Sequence, residues 1–232
     1  SDFQLVSYIL GRCATVDEVK AEIARVHIHG FDPRSSTVHW RFAEPSGRQI
    51  VLEIIDGKCV FYENTLGVLT NSPSFDWQLT NLNNYVNLLP GRTEPHTLGN
   101  MSLSSFGGGS AMIGLPGDFT PPSRFVRAAF FQNTAPQKPN AEESVFTAFH
   151  ILGSMEIPIG AQFAVGEAPA DIPSATQCTC VSDMSGLRFY YRSMYDGGIR
   201  CIDLKEIDFK KIGLKSEPLI PSRKEFVHYI RF

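Results

Sequence analysis

The chain offers several groups of residues that could do chemistry, and each can be weighed on type and spacing. Cys178 and Cys180 stand two apart in a strand-like run, so both thiols share one face. A metal would need a second ligand pair at short spacing, and no Cys-x-x-Cys or His-x-x-x-His supplies one. The stretch 107–117 (GGGSAMIGLPG) has the glycines of a phosphate loop, but no Gly-Lys-Ser/Thr follows it. Ser110 lacks the glycine two residues on that a nucleophile elbow requires, since Met112 stands there. His27 and His29 read as solvated loop histidines, and His39, beside Trp40, as structural. Glu142 and Glu143 fall in the first turn of a helical run, where the dipole favours them without any catalytic role. Two residues resist such readings. Asn71 follows a short apolar run and precedes Ser72-Pro73, so rigid backbone on both sides aims it. Arg124 opens a helical stretch, where a cation opposes the dipole at a cost of roughly a few tenths of a kcal/mol. Placements that local physics disfavours mark candidate site residues.

The elements that must position these residues can be read from period and caps. Residues 3–12 form a helix, and Thr15 with Glu18 makes a capping box for a second helix over 16–26. From there the period falls to two. Thr37–Phe42, Gln49–Ile55 and Lys58–Glu63 read as an antiparallel meander, with turns at Pro45-Ser46-Gly47 and Asp56-Gly57. Gly67–Thr70 reads as a short strand ending at Asn71, and 75–87 as a helix. Residues 89–122 read as one long functional loop. Ser123 is expected to cap a helix from Arg124 to about Gln132, and Asn140 another to Leu152. Three strands close the chain at Gln177–Asp183, Leu187–Met194 and Ile199–Leu204, with turns at Ser185-Gly186 and Asp196-Gly197-Gly198. Helical and hairpin blocks in alternation predict a layered α+β fold with antiparallel sheets.

Composition narrows the classes. The 232 residues are 43% hydrophobic and 19% charged, with a net charge of −3, so there is no basic footprint for nucleic acid. No apolar run approaches the roughly 20 residues of a membrane span. Five scattered cysteines do not make the dense framework of a small disulfide-stapled domain.

The two site residues sit in long motifs. The run Gly67-Val68-Leu69-Thr70-Asn71-Ser72-Pro73-Ser74-Phe75-Asp76-Trp77, continuing to Tyr85, resembles the signature of choloylglycine hydrolases, the family of bile salt hydrolases and penicillin V acylases. So does Gly114-Leu115-Pro116-Gly117-Asp118-Phe119-Thr120-Pro121-Pro122-Ser123-Arg124-Phe125, and Tyr190-Tyr191-Arg192 is similar in the same order. The resemblance implies an αββα Ntn-hydrolase sandwich, with residues 1–232 as a single domain of that kind. It implies hydrolysis of a linear amide without a cofactor, the substrate being a small-molecule amide such as a glycine- or taurine-conjugated bile salt. Penicillin V or an acyl-homoserine lactone is the alternative. An N-terminal cysteine attacks the carbonyl in such enzymes, and its α-amine, titrating at about 7.7–8.0, acts as base. Asn71 would then hold the oxyanion or the nucleophile, and Arg124 would order the charges of the site. The loop 27–36 matches one lining the acyl pocket and offers Phe31 as a substrate contact. Homotetramers, common in the family, are implied by the same resemblance.

The family's nucleophile segment is expected to be missing here, on the order of the first hundred residues of the domain. Cys13 cannot replace the N-terminal cysteine, with twelve residues before it, and Ser1 aligns well inside the family domain. Two readings follow. One is part of a cysteine amidohydrolase whose attacking sulfur lies elsewhere; the other is an inactive binding module that keeps the pocket walls. The 232-residue chain alone is expected to release no amino acid from conjugated bile salts, and to be poorly stable.

Overall fold

The computed structural model describes residues 1–30, 38–168, 175–220 and 229–230, which fall into two compact units, Ser1–Ala135 and Pro136–Phe232. In the first unit, helix α1 (Asp2–Leu10) is followed by α2 (Val16–Ile23). The expected capping box is present: Glu18 N donates to Thr15 Oγ1 at 3.2 Å, and the Glu18 carboxylate accepts from the amides of Ala14 and Thr15. Strands β1 (Trp40–Ala43), β2 (Gln49–Ile55) and β3 (Lys58–Glu63) form an antiparallel sheet in that order.

Strand β2 is the spine of the unit because it is covered on both faces. Ile50 and Leu52 join Leu5, Ile9, Val19 and Ile23 of the two helices, while Val51, pointing the other way, joins Val68, Phe75, Phe125 and Ala129. Two-sided burial explains why this strand reads as an apolar run instead of alternating. Phe75 and Phe125 meet edge to face, with ring centroids 6.0 Å apart. They are carried by α3 (Phe75–Asn81) and α4 (Pro121–Thr134).

Four local expectations are corrected here. Gly67–Thr70 is not a strand, because side chains take its backbone groups: Asn64 Oδ1 accepts from Gly67 N, Asn64 Nδ2 donates to Val68 O, and Arg41 donates to Gly67 O. The helix bearing Arg124 starts at Pro121, not Arg124. Thr120 is its N-cap, and Pro121-Pro122 fill positions that need no amide donor, so Arg124 lies at the end of the first turn. The stretch 89–122 is not uniformly loop; β4 (His96–Leu98) and β5 (Met101–Leu103) make a hairpin across Gly99, whose φ of +59° the turn requires. The predicted helix over 75–87 is α-helical only to Asn81 and tightens to 3₁₀ over Leu82–Tyr85.

In the second unit, Asn140 caps α5 (Ala141–Gly153) by accepting from Glu143 N at 2.9 Å. Strands β6 (Cys178–Asp183), β7 (Arg188–Ser193) and β8 (Asp196–Asp203) pair antiparallel. The turn before β8 comes earlier than predicted. Ser193 pairs with Asp196, and Asp196-Gly197-Gly198 belong to β8, beside a register irregularity that the glycines tolerate. The architecture is the α+β class with antiparallel sheets that the sequence predicts, and among the described residues no helix is long and apolar enough to cross a membrane.

Candidate active site

Asn71 sits on a segment pinned from several directions. Beyond the bonds to Asn64 and Arg41, Thr70 Oγ1 donates to Pro121 O at 3.1 Å, which ties the segment to the start of α4. Gln78 Nε2 donates to Asn71 O at 3.2 Å, and Phe75 N donates to Glu53 Oε1 at 2.8 Å. The backbone around Asn71 is therefore fixed while its side chain remains exposed.

Arg124 reaches that side chain across 53 residues of sequence. Its Nη2 donates to Asn71 Oδ1 at 2.8 Å and its Nε donates to Phe119 O at 3.0 Å. A guanidinium has only donors, so the Asn71 oxygen must face it and the amide nitrogen must face away. Among the described residues the Asn71 nitrogen meets no acceptor, so its N–H groups, turned away from the guanidinium, stay unpaired on an exposed side chain. The Arg124 guanidinium is pulled below its ordinary value first by burial and then by the neighbouring Arg127 charge. No carboxylate pairs with it among the described residues, which leaves a half-buried cation beside an unpaired amide donor.

The loop before α4 is wound on the second arginine. Arg127, buried, donates to Pro116 O at 2.8 Å and to Asp118 O at 2.5 Å, with its guanidinium 5.6 Å from the centre of the Phe119 ring. Hydrogen bonds from Ser123, then from the Thr120 hydroxyl and amide, hold the Asp118 carboxyl down to about 2. Asp118 thus puts a negative charge at the N-terminal end of α4, opposing the unfavourable placement of Arg124 there.

Of the sequence candidates, Asn71 and Arg124 come together, and Phe31 lies outside the described residues. Cys13 packs against the α1–α2 core, where burial, followed by Glu22 and Glu18, pushes its thiol up, away from the thiolate an attacking group needs. Ser1 directs its ammonium and hydroxyl to the side chain of Gln4. Cys180 is likewise pushed up, by burial first and then by Cys178. In the second unit a cavity of about 490 Å³ is lined by Glu156, Thr179 and Arg192 among others, but Thr179 and Arg192 both donate to Glu156 and satisfy it. Sequence reasoning missed Asn64, Thr70, Gln78 and Glu53. For Glu53 a signal was present, a lone carboxylate within the apolar run of β2.

With this geometry in place, comparison with known proteins is informative. The family model described as linear amide C–N hydrolases, choloylglycine hydrolase family, matches residues 1–217. A bile salt hydrolase/transferase of Clostridium perfringens is 34% identical over 209 residues, which cover 88% of this chain and 62% of that protein. One from Lactiplantibacillus plantarum is 33% identical over 231 residues, covering 98% and 69%. Among solved structures, a mutant conjugated bile acid hydrolase from Clostridium perfringens superposes with a TM-score of 0.81 at 28% identity, covering 98% of this chain and 69% of that one. The fold is thus that of these Ntn hydrolases, and the chain spans roughly two thirds of the length of the relatives it matches.

Proposed function

The chain belongs to the choloylglycine hydrolase family of linear amide C–N hydrolases, and from that premise we propose that it forms the oxyanion-side wall of an amide-cleaving site for conjugated bile salts. One observation carries the reading: the 2.8 Å bond from Arg124 Nη2 to Asn71 Oδ1 leaves the Asn71 amide N–H groups turned away from the guanidinium and unpaired. Donors held this way suit a carbonyl oxygen that gains charge when a nucleophile attacks. Arg124 adds a positive charge close by and does not have to move to do so.

The attacking group, in this reading, is an N-terminal cysteine of the natural protein that lies outside these 232 residues. Its α-amine takes the thiol proton, the thiolate adds to the amide carbonyl, and glycine or taurine leaves as the amine, receiving that proton from the α-ammonium as the C–N bond breaks. Water then releases the bile acid from the thioester. Both compact units belong to one Ntn-hydrolase domain in this proposal, and Phe31 contacts the acyl group. A homotetramer is the expected assembly, read from the mass in solution.

The test uses the full-length natural protein, whose N-terminal sequence and intact mass locate the cysteine. Glycocholate, taurocholate, penicillin V and an acyl-homoserine lactone are offered, and the released amine or acid is measured. Asn71→Ala is expected to lower kcat about 10²–10³-fold, the usual cost of one oxyanion donor. Undiminished hydrolysis would remove Asn71 from the chemistry. Cleavage of penicillin V alone would shift the substrate class, and no cleavage by a protein lacking a terminal cysteine would mark an inactive binding module.

A further inference from the structure

Beneath Asn71 lies a polar chain that an apolar core has no structural need to contain. Glu53 is 3% exposed and sits between Leu52 and Ile54 in β2. A carboxylate so placed is costly unless hydrogen-bonded, and one of its oxygens, Oε2, has no partner among the described residues. Its other oxygen accepts from Phe75 N at 2.8 Å and from His39 Nδ1. The His39 side chain is only 8% exposed, and its Nε2 lies 3.4 Å from Ser72 Oγ. Both ring nitrogens are thus engaged, Nδ1 by the carboxylate and Nε2 by the Ser72 hydroxyl. The chain therefore runs from the central strand to the residue after Asn71. Gln78, 2% exposed, completes the hold by donating to Asn71 O at 3.2 Å.

We propose that Glu53, His39 and Gln78 are positioning residues for Asn71, gripping the 71–75 segment from below so that the Asn71 amide stays aimed. This rests on the reading of Asn71 as the donor to the carbonyl oxygen. A purely structural role makes a different forecast: removing Glu53 alone leaves His39 and Phe75 N unpaired, which would lower the melting temperature without a selective loss in kcat. Retaining a half-satisfied carboxylate in the spine of the sheet makes sense when geometry at the turn matters more than stability.

The experiment compares Glu53→Leu, Glu53→Gln, His39→Gln and Ser72→Ala in the full-length protein, by glycocholate kinetics, melting temperature and crystal structure. Glu53→Leu is expected to fold, to lose about a hundredfold in kcat, the scale of a 1 Å misplacement, and to keep KM within about threefold. Glu53→Gln keeps an acceptor for Phe75 N and recovers most of that loss. Ser72→Ala is expected to lose less than Glu53→Leu, since it removes only the outer link. Full kcat in folded Glu53→Leu, with the Asn71–Arg124 bond intact, overturns the proposal. If the wild-type protein cleaves no amide, the functional reading fails alone and the crystal structures decide. Asn71 displaced from Arg124 in Glu53→Leu then supports the positioning role, and Asn71 unmoved refutes it. Should Glu53→Leu not fold, His39→Gln is judged by the same two readouts.

Discussion

Replacing Arg124 by lysine separates the charge of this residue from its shape. The guanidinium uses two different nitrogens for two acceptors, Nε for Phe119 O at 3.0 Å and Nη2 for Asn71 Oδ1 at 2.8 Å. Lysine keeps the charge but offers a single nitrogen on a flexible stem, which cannot serve both acceptors in that fork. Loss of one hydrogen bond to a charged group corresponds to about 1.5–3 kcal/mol. If the bond to Asn71 is the one lost, that converts to roughly a 10- to 150-fold fall in kcat. The physical route is the amide flip. Without Arg124 on its oxygen, Asn71 is free to present that oxygen to a reacting carbonyl, where it repels the developing charge. Arg124→Ala should fall further, because it also removes the cation. The assay is steady-state release of glycine from glycocholate by the full-length protein, with kcat and KM separated and melting temperatures as controls. Arg124→Lys within about twofold of wild type would refute the argument that fork geometry matters more than charge.

Two further outcomes test the framework. Phe125, 0% exposed and packed edge to face on Phe75, should cost about 3–5 kcal/mol as Phe125→Ala in urea denaturation, and a loss below about 1 kcal/mol would show that this core does not support α4. Asp118 is held down to about 2 by Ser123 and Thr120, and Glu63 to about 2 by Arg48 and Lys20. Carboxyls depressed in the folded state stabilise it fully above their unfolded values, about 3.9 and 4.3, and that stability is lost as pH falls toward the folded values. Melting temperature should therefore drop between about pH 4 and pH 2, and Asp118→Asn should soften that drop; an unchanged acid limb in the variant would contradict the assignment.

What could be read from the sequence depended on signals only a few residues long. The capping box at Thr15 and Glu18, the bounds of Gln49–Ile55 and Lys58–Glu63, and the cap at Asn140 came out as expected, because each is set by neighbours within a turn or a hairpin. The motifs around Asn71 and Arg124 were likewise visible as residues with no local justification. Other features turned on side-chain bonds that composition does not announce, some of them within a few residues. Gly67–Thr70 has strand-like composition, yet Asn64 and Arg41 take the backbone groups a strand would need. The start of α4 was misplaced because Ser123 satisfies Asp118 instead of capping the helix. Above all, the sequence alone determined that an amide and a guanidinium of unusual placement were present. Only tertiary packing decided that the guanidinium would bond the amide oxygen across 53 residues, with a buried carboxylate underneath. The reason is physical: caps and periods are settled by energies within one turn, whereas the aim of a side chain depends on which distant groups the core brings within about 3 Å of it.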